Sequence, residues 1–221
     1  MNSVLSNVLY TLIYSVPATL IAIVLHEVAH AAMSYACGDT TVKADGRLSL
    51  NPLKHLDPIG TVCLIVFHMG WAKLVMVNTR NYKHRKLDFC LVALAGPVMN
   101  FIIAFLSLVF MFITARYGSS NTVTNYLYYL FYYIAMINVG LGVFNLIPIP
   151  PLDGSNVLFS LLPDHIEMQV RRYSRYFPLL LLALIYFGSF NNILSYIDGN
   201  IINGMWRVVI RIFGYTTGNT I

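Results

Sequence analysis

Charge is what this sequence has least of. Only 10% of its 221 residues are Asp, Glu, Lys or Arg, while 57% are hydrophobic and the mean hydropathy is +0.67; soluble domains carry about a quarter charged residues. That balance excludes an ordinary soluble domain and describes an integral membrane protein. Cysteine is sparse too. Cys37, Cys63 and Cys90 are too few and too scattered for a disulfide framework or a thiolate zinc cluster, and read as reduced packing residues. A basic n-region is missing, so the first apolar run does not read as a cleavable signal. The net charge of +5 implies no nucleic-acid partner, because the cations lie at the edges of apolar runs, where membrane topology accounts for them.

The lack of charge is most complete from Met1 to Gly38, where there is no Lys, Arg or Asp and Glu27 is the only acid. A carboxylate in such a stretch is expensive in hydrocarbon and therefore points to function. It belongs to His26-Glu27-Val-Ala-His30. Two histidines four apart on a helix present both imidazoles on one face, close enough to share a tetrahedral metal. Glu27, one step round the helix, is placed to take a proton from a metal-bound water.

The apolar stretch from about Leu5 to Cys37 is long enough to cross a bilayer; Gly38-Asp39 is its expected stop, and Pro17 is expected to bend or interrupt it. Between Asp39 and Leu87 lie eight of the fourteen Lys and Arg, which assigns this segment to the cytoplasm. Within it Gly46 to Pro52 alternates like a short strand, Leu74 to Asn78 reads as a second, and Asp57 to Gly70 is apolar but too short to cross, which suits a re-entrant piece. Apolar helices are expected at about Phe89–Thr114 and Tyr126–Leu146, with a short helix from Ser155 to Leu162 and a further crossing at about Phe177–Ser189. The tail from Ile201 to Phe213 reads as an interfacial helix or a fifth span. The expected fold is an all-α polytopic membrane protein of four or five transmembrane helices, a single domain over 1–221 with its catalytic core at about 5–162. Eight cations fall between the first two spans, one between the second and third, and three, Arg171, Arg172 and Arg175, between the third and the next. The histidine pair and the end of the third span then approach the membrane from the cytoplasmic side.

A catalytic zinc needs a third protein ligand. Asp153, which follows Asn145-Leu-Ile-Pro-Ile-Pro-Pro-Leu, is the best placed acid; a plain helix N-cap or an Asp-Gly turn is the alternative for it. Of the other histidines, His55, His68, His84 and His165 lie in or beside polar segments. Asn100 and Asn145 read either as amides bonding between helices or as donors to a developing oxyanion.

In combination and in order, His26-Glu27-x-x-His30, Gly46-Arg-Leu-Ser-Leu-Asn-Pro-Leu-Lys-His-Leu-Asp-Pro-Ile-Gly-Thr61, Gly70-Trp-Ala-Lys73, Ala95-Gly-Pro-Val-Met-Asn100 and Asn145 to Gly154 resemble the site-2 protease family of intramembrane zinc metalloproteases, in its small prokaryotic branch without a PDZ or CBS domain. Leu74 and Met76 depart from the pattern, standing where that branch carries prolines. The resemblance implies zinc held by His26, His30 and Asp153, Glu27 as the catalytic acid/base, and a transmembrane segment of another protein as substrate. The expected location is the cell membrane, multi-pass, with the site reached from the cytoplasm. An ion-handling transporter or an inactive membrane-binding relative is the alternative function.

Overall fold

A computed structural model describes residues 2–55, 57, 78–186 and 188–214. Among these residues it is all-helical, with α1 (Asn2–Ala36), α2 (Thr41–Ala44), α3 (Arg85–Tyr117), α4 (Thr122–Asn145), α5 (Asp153–Leu161), α6 (Asp164–Tyr173), α7 (Phe177–Tyr186) and α8 (Ser189–Ile212). Among the described residues, three stretches are long and apolar enough to cross a membrane: Thr11–Ala36, Arg85–Tyr117 and Thr122–Asn145. At 1.5 Å per residue each exceeds the roughly 30 Å of hydrocarbon in a bilayer.

Helix α1 runs through Pro17 without interruption. It ends where expected, at Gly38, whose φ of 110° is left-handed and whose N–H bonds back to the Tyr35 carbonyl at 3.1 Å. The stretch after the third span differs from the sequence reading. Instead of one crossing near 177–189 and a separate tail, there are two helices broken at Gly188, which has φ +75°. With ten residues, α7 spans about 15 Å and is too short to cross alone. Asn191, Asn192, Asp198, Asn200, Asn203, Arg207 and Arg211 dilute the apolar character of α8.

Among the described residues there is no strand. The stretch expected to be one folds on itself: Gly46 has φ +66°, Arg47 N–H bonds to the Val42 carbonyl at 2.9 Å, and the Asn51 side chain caps a 3-10 turn at Pro52–Lys54. These local bonds use the groups that a ladder would need. The proposed re-entrant piece beyond Asp57, Gly70 to Lys73 and the second strand up to Val77 lie outside the described residues, as does His68.

By packing, the chain forms two compact units. The first comprises Met1–Ala22, Asn100–Val143 and Gly188–Ile221. Leu108, Met111, Phe112, Ala135 and Val209 are buried together there, and Tyr14 packs on Tyr126, Tyr129 and Tyr133 with ring centroids 5.3–5.8 Å apart. Ile102, Leu106, Phe110 and Ile113 recur at helical spacing and stay exposed, an apolar stripe suited to lipid. The fully buried Asn100 and Asn138 bond to each other at 2.8 Å.

The second unit comprises Ile23–Met99 and Phe144–Phe187. Its end of α1 is tied down by Asp39, which is fully buried. The Asp39 carboxylate accepts from the N–H of Thr41 at 3.0 Å, the N–H of Asn78 at 2.8 Å, the Ser34 hydroxyl at 3.2 Å and the Thr41 hydroxyl. The Ser34 hydroxyl in turn meets the Tyr82 hydroxyl at 2.9 Å, beside a small core of Cys37, Tyr82 and Val92. Burial raises the Asp39 carboxyl pKa, but these hydrogen bonds outweigh it and hold the group below its ordinary value. A depressed carboxyl stabilises the fold above its unfolded pKa and loses that contribution as pH falls through the folded value. Asp39→Ala, which strands the Asn78 and Thr41 donors, is expected to cost about 2–3 kcal/mol. Thermal unfolding in detergent at neutral pH, repeated at acid pH where the wild type and variant should converge, checks it.

Candidate metal centre

The C-terminal half of α1 brings His26, Glu27 and His30 into the second unit, each at most 8% exposed. One helical turn separates the imidazoles, whose planes cross at 84° with centroids 4.6 Å apart. Their Nε2 atoms stand 3.0 Å from each other. Asp153 completes the group, with Oδ2 at 3.1 Å from His26 Nε2 and 3.2 Å from His30 Nε2.

The local sequence explains how Asp153 gets there. Pro148, Pro150 and Pro151 stop α4 from continuing, and the chain turns, with the Leu152 N–H bonded to the Ile149 carbonyl at 3.0 Å. Leu152 is extended and takes the N-cap position, so Asp153 is the first residue of α5 rather than its cap. Gly154 lets this corner close: a Cβ there would come within 2.3 Å of the Leu146 carbonyl oxygen and 2.6 Å of the Ile147 oxygen.

Helix α3 fixes the imidazoles from the other side. His30 Nδ1 donates to the Val92 carbonyl at 2.7 Å; a carbonyl can only accept, so the lone pair of His30 lies on Nε2, the atom directed at His26 and Asp153. One turn on, a Cβ at Gly96 would come within 2.4 Å of His30 Nε2, 2.6 Å of His26 Cε1 and 2.7 Å of His26 Nε2. Burial raises the Asp153 carboxyl pKa, yet the two imidazoles against it prevail and bring it to about 2.

The donor chemistry fits zinc. Two imidazole nitrogens and one carboxylate oxygen, all within 4.8 Å of one another, form a three-ligand set of the kind that leaves a fourth position for water. The Val92 carbonyl bonds the outer nitrogen of His30, the kind of contact that would orient a histidine toward a metal. The Glu27 carboxylate, next to His26 in sequence, lies within electrostatic range of His26, His30, Asp153 and His55.

Of the two asparagines, Asn100 belongs to the first unit, where its amide donates to Asn138 Oδ1 at 2.8 Å and to the Ala22 carbonyl at 3.4 Å. Asn145 closes α4 in the second unit, half-buried and ahead of the proline turn. His84 and His165 are exposed. His55, read from the sequence as one of several polar-segment histidines, is fully buried; its Nε2 donates to the Ser49 carbonyl at 2.6 Å, and its Nδ1 has no partner among the described residues. Val92 and Gly96 carry no side-chain signal in the sequence, although Gly96 falls in the Ala-Gly-Pro motif.

A family model described as Peptidase family M50 matches residues 14–185. "Putative zinc metalloprotease YwhC" of Bacillus subtilis (strain 168) is 37% identical over 173 residues, covering 77% of this chain and 79% of that protein. "Putative zinc metalloprotease Rip2" of Mycolicibacterium smegmatis is 28% identical over 163 residues, covering 69% of this chain and 57% of that protein. The Mycobacterium tuberculosis (strain H37Rv) protein of the same name is 25% identical over 174 residues, covering 76% and 64%. No solved structure matches.

Gly96→Ala adds one methyl against both imidazoles. It is expected to reduce zinc content of the purified protein at least several-fold while leaving its helicity unchanged, as measured by metal analysis beside circular dichroism. Full zinc content in that variant would mean that α3 does not seat the pair.

Proposed function

The chain belongs to peptidase family M50, the site-2 protease family, and on that premise we propose that it is an intramembrane zinc endopeptidase with His26, His30 and Asp153 as ligands and Glu27 as acid/base. The observation that carries the reading is the convergence of three ligating atoms on one point, at 3.0–3.2 Å from each other, beside a buried carboxylate on an apolar helix.

Zinc bound by His26 Nε2, His30 Nε2 and Asp153 Oδ2 would polarise the scissile carbonyl and bring the pKa of a water toward 7. Glu27 takes the proton of the attacking water on a carboxylate oxygen and delivers it to the leaving amine nitrogen. The hydrogen bond from His30 to the Val92 carbonyl keeps that imidazole from turning during the cycle. The anionic Asp153 offsets part of the positive charge of the metal.

The substrate is a transmembrane segment of another membrane protein. Its carbonyls are occupied in i to i−4 bonds, so it must unwind locally before attack. Access is from the cytoplasm, supported by the eight cations between Asp39 and Leu87 and by the position of His26 and His30, roughly 9 to 15 Å from the Ala36 end of α1.

Glu27→Gln separates a protease from an ion carrier. Cleavage of a transmembrane substrate in proteoliposomes should fall by about 10²–10⁴-fold, with zinc content unchanged. Wild-type cleavage in this variant would remove Glu27 from the chemistry, and altered zinc flux with no proteolysis in either protein would favour a carrier.

A further inference from the structure

A cavity of about 590 Å³ lies in the second unit, between the first turns of α3 and the corner joining α5 to α6. None of its lining residues belongs to the candidate metal centre. Its two acids are already matched: Asp164 meets Lys86 at 2.7 Å, and Glu167 accepts from Arg171 Nε at 2.8 Å. Lys86 also donates to the Leu162 carbonyl at 2.8 Å, which ties α3 to the α5–α6 corner, and the Arg171 guanidinium lies 4.6 Å from the Phe159 ring centroid. The third cation of the lining, Arg85, has no acid within ion-pair distance among the described residues. The lining thus holds three cations against two acids, a net positive charge beside the apolar surfaces of Phe89, Phe159 and Met168.

Its position says what kind of anion this suits. Arg85 opens a helix long and apolar enough to cross a membrane, and its charged first turn, Arg85, Lys86 and Asp88, gives way to an apolar run from Phe89, which puts the cavity at the level where that run begins. Helix α6 has no buried residue, and Met168 and Tyr173 are 67% and 60% exposed alongside Arg171 and Arg172. Asp164, Glu167 and Arg171 share one face of this helix, and its open apolar groups beside Arg171 and Arg172 suit the plane of a membrane interface. Basic pockets at that level accept phosphate headgroups, and a guanidinium can meet a phosphate through two parallel hydrogen bonds.

We propose that this cavity binds the phosphate headgroup of an anionic phospholipid, with Arg85 on the phosphate and Phe89, Phe159 and Met168 against the glycerol and first acyl carbons. Charge and apolar surface together favour a lipid over a soluble anion, and a cavity of this size holds a headgroup rather than a folded segment.

The test uses the full chain reconstituted in vesicles of equal phosphatidylglycerol and phosphatidylcholine, extracted mildly, with the retained lipid quantified by mass spectrometry. Phosphatidylglycerol should be enriched over phosphatidylcholine. Arg85→Gln should lower the enrichment by about five-fold, the loss expected for one cation at a membrane surface. Arg85→Lys should recover part of it, and Lys83→Gln, which removes an exposed charge outside the cavity, should leave it unchanged. Zinc content and thermal stability should not move in any of the three. Equal retention of the two lipids, or an enrichment that Arg85→Gln does not reduce, would overturn the proposal. So would displacement of the lipid by millimolar inorganic phosphate or by an acidic peptide, because the site would then belong to a soluble anion or to a protein segment.

Discussion

The second unit depends on holding one carboxylate oxygen against two imidazole nitrogens, across 123 residues of sequence between His30 and Asp153. Neither a carboxylate nor a polar imidazole pair is favourable in apolar surroundings without partners. Each here has them. His30 is held through its outer nitrogen by the Val92 carbonyl, Gly96 lets the α3 backbone lie against both rings, and Gly154 lets the chain before α5 close tightly enough to aim Asp153 inward. Three elements distant in sequence thus converge through two missing side chains and one backbone oxygen.

The same unit is braced at the far end of α1. Asp39 gathers donors from Ser34, Thr41 and Asn78, so the residues that follow the histidine helix are fastened to the segment that leads into α3. Since α3 supplies both Val92 and Gly96, this brace holds the partners of the histidines as well as the end of their helix. The first unit is built differently, from interlocking apolar side chains and one pair of buried amides. Helix α8 begins beyond residue 185, where the family match ends, yet its Val209 is fully buried in that unit among Leu108, Phe112 and Ala135.

Much of the site could be read in advance because its chemistry is local. Two histidines four apart and a glutamate between them in an uncharged run are visible without a fold, and the prolines before Asp153 mark a turn whatever surrounds it. The long apolar helices were legible for the same reason, to within a few residues at each end. Other features depend on partners that spacing does not reveal. The Val92 carbonyl and the absent Cβ of Gly96 have no side-chain signature. His55 looks like a surface histidine until Ser49 and the Pro52–Lys54 turn enclose it. The alternation from Gly46 to Pro52 resembles a strand, but a left-handed Gly46 and the Asn51 cap fold it locally. Asn100 has two chemically reasonable roles, and only the fold shows its amide bonded to Asn138 and to the Ala22 carbonyl.

The proposed function stands on His26, His30 and Asp153 holding zinc together. Zinc K-edge X-ray absorption on the purified, catalytically intact protein tests it most directly, because it reports the atoms around the metal rather than a consequence of their loss. One zinc per chain is expected, with two imidazole rings in the scattering pattern and otherwise only oxygen or nitrogen neighbours. A sulfur neighbour, a single imidazole, or no bound zinc would contradict it.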